Sequence, residues 1–287
     1  MIPIVMASLK EALRKKVILL IAILTVIYLV ILTLITYYVC KNQVSFGKST
    51  VNLYIVASTF ISILGFYFSS MLVAFLTIMV SVGSVSSEIE SGVLHSIITR
   101  PLKRSSYILG KYLGIAILIV SYSILLYLAL ILIYWVITPN FIGTFSTGMI
   151  LKGLFFFILE PLAILSLSVF SSTSFKTLGS GIFVIAIYIL GLLGSIFEQV
   201  GVLISNDVIN SLGILSSLIS PFDVIYRELI GNFFSGTGFT NPFINLFSSG
   251  NISSGATPSS WMLLYVFIYI SGLILLSIRK FRKRDIS

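Results

Sequence analysis

From Ser49 to Ser87 the chain has 39 consecutive residues without a charge, and Val17 to Val39 is another such run of 23. Stretches of this kind leave few ways to fold. About 20 apolar residues cross the hydrocarbon core of a bilayer as a helix, the form that satisfies its own backbone N–H and C=O groups there. Composition points the same way: 57% of the 287 residues are hydrophobic and 9% are charged, against roughly 25% charged in a soluble domain. The expected fold is all-α and integral to the membrane, with residues 1–287 as a single transmembrane domain.

Six spans are expected, at about 17–39, 53–84, 112–137, 150–170, 178–197 and 261–278. The 39-residue run is too long for one straight crossing and too short for two with a turn, so one tilted span fits it. Thr138-Pro139-Asn140 stops the third span, and Glu160-Pro161 interrupts the fourth. A short polar link, Ser171 to Thr177, leads into the fifth. Residues 2–16 place Val5, Leu9, Ala12 and Leu13 on one face and Lys10, Glu11, Arg14 and Lys15 largely on the other. That is the pattern of an interfacial helix, or of a basic start that orients the first span.

Residues 198–260 differ. Gly201 to Ser220 is apolar but carries Asn206, Asp207 and Asn210, and it is read as re-entrant. From Gly231 to Ser260, 21 of 30 residues are Gly, Ser, Thr, Asn or Pro with five phenylalanines among them, the composition of a loop. Asn251-Ile252-Ser253 within it is a glycosylation sequon.

Charge sets the orientation. With both termini inside, 14 of the 18 Lys and Arg residues are cytoplasmic, and Lys41, Lys48, Lys152 and Arg227 lie outside. The formal charge of +9 is therefore read as positive-inside bias in a multi-pass protein of the cell membrane, its partner surface being lipid and not nucleic acid. One cysteine, Cys40, and one histidine, His95, exclude an intrachain disulfide and a two-histidine zinc motif. Gly47-Lys48-Ser49-Thr50 mimics the end of a phosphate loop, but Asn42 stands where its first glycine belongs. No ATP site or other cofactor site is expected in this chain, nor catalysis of its own.

Between the second and third spans lies a charged island, Ser86 to Arg104. Ser86 or Ser87 suits a helix cap, Glu88 and Glu90 suit the first turn, and Pro101 ends the segment, predicting a short amphipathic helix over 86–98. The order Glu88-x-Glu90-x-Gly92-x-Leu94 followed by Thr99-Arg100-Pro101-Leu102-x-Arg104 resembles the cytoplasmic loop of ABC-2 type permeases, the six-span membrane subunits of ATP-binding-cassette exporters. Ser171-Ser172 to Lys176 resembles that family's second inner loop. Ser220-Pro221-Phe222-Asp223 with Tyr226-Arg227 resembles its segment before the last span, with Ser220 where Asn is more usual. The resemblance implies that Ser86 to Ile98 is a coupling helix docking on a separate ATPase subunit, with Glu88, Glu90, Gly92, Leu94, Arg100, Pro101 and Arg104 at the contact. It further implies a second permease copy or paralogue, and ATP with Mg held by the partner.

The competing reading of the island is a loop that only fixes topology. For the whole chain it is a channel, scaffold or assembly protein that works without an ATPase. Glu160, about ten residues into the fourth span, is a candidate intramembrane functional carboxylate. Its alternatives are a structural hydrogen bond, or a span that begins later and leaves Glu160 at the outer interface.

Overall fold

The computed structural model describes residues 2–42, 50–92, 104–138, 146–204, 206–234 and 260–283, and among them every regular element is a helix. Leu94, Arg100, Pro101 and the Asn251 sequon lie outside the described residues. The helices are α1 (Ile2–Arg14), α2 (Lys16–Asn42), α3 (Thr50–Ser81), α4 (Ser86–Glu90), α5 (Arg104–Ile137), α6 (Thr147–Ser174), α7 (Thr177–Ile204), α8 (Asp207–Ile219), α9 (Phe222–Phe234) and α10 (Ser260–Lys283). Six of them, α2, α3, α5, α6, α7 and α10, are long and apolar enough to cross a membrane, as expected. Several run past the expected limits. The 32 residues of α3 span about 48 Å at 1.5 Å each, well beyond a hydrocarbon core of about 30 Å.

Helix α6 is the most enclosed of the six, and α10 the least. It contacts α3, α5, α7, α9 and α10, so the core forms around it. Its first half is lined by aromatic rings: Tyr127 lies 5.5 Å from Phe157, and Phe66 of α3 stacks at 5.2 Å on Phe233 of α9. Pro161 does not break this helix. It continues from Thr147 to Ser174, so the expected interruption at Glu160-Pro161 is absent and only Phe175 and Lys176 separate α6 from α7. Packing on five neighbours holds the turn that a proline would otherwise loosen.

Helices α7, α8 and α9 form a path that turns back on itself. Helix α8 lies against α7, with Ser216 and Ser220 set on Gly194 and Gly191 and with Gly213 on the Glu198 backbone. Gly191 is halfway along α7, so α8 ends about halfway through the bundle. There the chain bends by 99° at Ser220-Pro221 into α9. Helix α9 then runs out again, its Asn232 side chain donating to the Met149 carbonyl at 2.7 Å, near the start of α6. The pair thus begins and finishes at the same end of the bundle.

Helix α1 docks on the start of α5 through two glycines. A Cβ at Gly110 would stand 2.7 Å from the Ile4 side chain, and one at Gly114 would stand 2.7 Å from both the Val5 carbonyl and Ser8 Cβ. The Gly110-x-x-x-Gly114 spacing therefore admits α1 and not another span. Of the face expected to be apolar, Leu9 and Ala12 pack inward and Val5 is half-buried, whereas Leu13 is exposed. Gly114→Val is expected to cost about 1–3 kcal/mol by overpacking and to lift α1 from its seat. The check is a cysteine at Ser8, which is buried. Ser8→Cys should resist a membrane-impermeant maleimide on its own and react when Gly114→Val is added; equal reactivity in both would show that the glycines do not hold α1.

Candidate functional site

Two polar assemblies stand out in an otherwise apolar bundle, one at the end that carries the N-terminus and one halfway along. The first is built on Lys111 of α5, whose side chain is 5% exposed. Its ammonium lies 2.6 Å from Glu11 of α1 and pairs with Glu88 of α4. Tyr107, one turn earlier on α5, donates its hydroxyl to the other oxygen of Glu88. That ring stacks 5.5 Å from Phe281, which brings α10 to the same place. Lys15 donates to the Val80 carbonyl at 2.9 Å, tying the α1–α2 joint to the end of α3. Burial holds the Lys15 ammonium below the usual lysine range, while Glu11 opposes that depression and Lys111 adds to it.

Helix α4 is seated from the other side by α6 and α7. The Ser172 hydroxyl accepts both the Val85 N–H at 3.0 Å and the Ser86 N–H at 2.9 Å. Capping by Ser86 or Ser87 was the expectation; the cap comes instead from a different helix. Glu90 accepts from the Thr177 N–H at 2.9 Å and from the Thr177 hydroxyl at 2.8 Å. Its carboxylate therefore sits at the positive end of α7, not that of its own helix. Both glutamates of the island are thus engaged inside the chain.

The helix expected over 86–98 is described only to residue 92, since 93–98 lie outside the described residues. It stops at Glu90, and Gly92 has φ +73°, a left-handed backbone that ends an α-helix. Arg104 begins α5, so it opens the third span. Of the expected contact residues, the structure brings Glu88 and Glu90 together at this end of the bundle and leaves Gly92 exposed at its edge. Lys111 carries no expected role in the sequence, and Ser172 and Thr177 enter it only as parts of the link between the fourth and fifth spans. Their signal was weak in sequence: one cation closing a basic cluster, and hydroxyls in a link that looked like a connector.

The second assembly surrounds Glu160, which is 6% exposed and lies at the midpoint of α6. The helix does not start later: it begins 13 residues before Glu160. Ser70 of α3 donates to it at 2.5 Å. Beside it, Asp223 of α9 lies 3.0 Å from Arg227, which also reaches Glu198 of α7 at 2.9 Å. Asp223 and Arg227 are 8% and 7% exposed. Arg227, expected on the outer side, is buried within the bundle on α9. The Asp223-x-x-x-Arg227 spacing, one helical turn, is the signal that could have found this pair. Tyr67, Asp223 and Tyr226 line both the cleft at Glu160 and an adjoining cavity of about 270 Å³ between α3 and α7.

The Lys111 assembly predicts an asymmetry. Lys111→Met leaves the partly buried Glu88 without its cation and should cost about 1–3 kcal/mol, the charge left behind being partly solvated. Glu11→Gln removes a partner that is 44% exposed and should cost about 1 kcal/mol or less. Thermal unfolding in one detergent measures both; equal losses would mean that Glu88 is not the partner that matters.

Comparison with protein families matches the family described as ABC-2 family transporter protein over residues 2–286, nearly the full length. Comparison with curated proteins gives no match.

Proposed function

The chain belongs to the ABC-2 family of transporter proteins, and from that premise we propose that it is the permease subunit of an ATP-binding-cassette exporter. It is a multi-pass membrane protein. A separate ATPase subunit supplies ATP and Mg, and a second permease copy or paralogue completes the transporter. The end bearing Lys111 faces the cytoplasm of the cell membrane with both termini, in keeping with the basic excess there. The α8–α9 pair dips in from the outer side and returns to it. An ATPase-independent channel or scaffold has no observation in its favour.

The observation that supports this reading is the seating of the 86–92 segment. Through Glu88, Glu90 and the Ser172 contact it grips α5, α6 and α7 at once, and through Lys111 it reaches α1. A force applied at this edge by a soluble partner is passed to four helices before any of them can yield alone. Glu88 and Glu90 then act by holding the segment rigid, and Arg100 is the residue that contacts the ATPase subunit. This differs from a contact made by the glutamates themselves. Glu160, with Asp223 and the cavity beside them, lies on the transport path.

The test is co-purification with the cognate ATPase followed by transport-linked ATP hydrolysis. Arg100→Gln should weaken the ATPase association. Glu90→Gln should leave the complex assembled but reduce coupling by about tenfold, within the range of a lost coupling contact. Absence of any ATPase from the purified complex, or full coupling in both variants, would overturn the proposal. For the path, Glu160→Gln should insert normally and lose transport.

A further inference from the structure

The cavity between α3 and α7 is unlike the lipid-facing grooves of the bundle because charge lies on its floor. Its upper walls are Leu64 and Phe68 of α3 with Leu192 and Ile196 of α7. Phe68 and Ile196 are about half exposed, and both lie well inside their helices, so the mouth opens sideways between two spans. Asp223 and Arg227 form the floor, with Tyr67 and Tyr226 beside them.

The floor itself holds one carboxylate, Asp223, and one cation, Arg227, but the groups next to it tip the balance negative. Asp223 and Glu198 share the single guanidinium of Arg227. Glu160, in the adjoining cleft, takes its hydrogen bond from Ser70, and among the described residues no basic side chain pairs with it. Carboxylates this deep in an apolar bundle are costly unless a positive charge comes to them. Arg227 is already engaged by two carboxylates, which leaves little for an anionic ligand to gain. Three rings, Tyr67, Phe68 and Tyr226, supply faces that attract a cation once water is gone.

We propose that this cavity binds a hydrophobic cation: an amine or quaternary ammonium group held over Asp223 and toward Glu160, with its apolar body leaving between Phe68 and Ile196 into lipid. The volume of about 270 Å³ is near the lower end of ligand pockets, which run from about 300 to 1,000 Å³. It suits a head group with its first few carbons and not a whole amphiphile. The inference names a substrate class for the path proposed above and rests on that placement of the path. Binding, however, needs no ATPase.

The experiment uses the full chain in dodecyl maltoside micelles with radiolabelled dodecyltrimethylammonium as the probe, and dodecanol and dodecyl sulfate as neutral and anionic competitors. The expected result is saturable binding of the cation above the empty-micelle background, displaced by neither competitor at equal concentration. Asp223→Asn should weaken it tenfold or more. Because that change also removes a partner of Arg227, Leu64→Trp gives an independent arm: it fills the wall, leaves every charge in place, and should also reduce binding. No saturable binding, equal displacement by dodecanol or dodecyl sulfate, or unchanged affinity in both variants would overturn the proposal. Loss of ATPase association with cation binding intact would count against the permease reading alone.

Discussion

One ammonium group holds the N-terminal end of this bundle together. Lys111 is almost fully enclosed, and a cation there is tolerable only because Glu11 and Glu88 meet it from two different helices. The arrangement therefore specifies geometry more than it adds stability. With Glu88 fixed by Lys111 and Tyr107, a five-residue helix that could not persist alone is held in one orientation. Glu90 is then delivered to the start of α7. Remove the ammonium, and the glutamates have reasons to turn toward water.

Polar groups elsewhere follow the same economy. In hydrocarbon an unpaired hydroxyl or carboxyl is penalised, and the buried serines and threonines mostly bond back to carbonyls three or four residues earlier in their own helices. Those that instead reach across mark the places where helices must agree. Ser172 joins α6 to the start of α4, Ser70 joins α3 to Glu160, and Thr177 joins α7 to Glu90. These three contacts connect the interior carboxylate and the charged edge to the same small set of helices.

Much of the fold was legible before any coordinates. Uncharged runs located the six spans because bilayer thickness sets their length, and the basic clusters marked one end. What was not legible had physical causes. Pro161 looked like a break because propensity knows nothing of the five helices packed around α6. The burial of Arg227 was not legible because charge counting treats every cation as solvated, while this one is paired with Asp223 and Glu198. Ser86 and Ser87 suited a cap, but the acceptor came from Ser172, 86 residues away, and no local pattern announces that.

Helix α3 carries a consequence of its own. Its last turn supplies the Val80 carbonyl that Lys15 holds, and twelve residues earlier the same rod presents Phe68 at the mouth of the cavity. At about 1.5 Å per residue these points are roughly 18 Å apart on one rigid lever. The N-terminal joint and the mouth of the cavity are thus carried by one continuous helix.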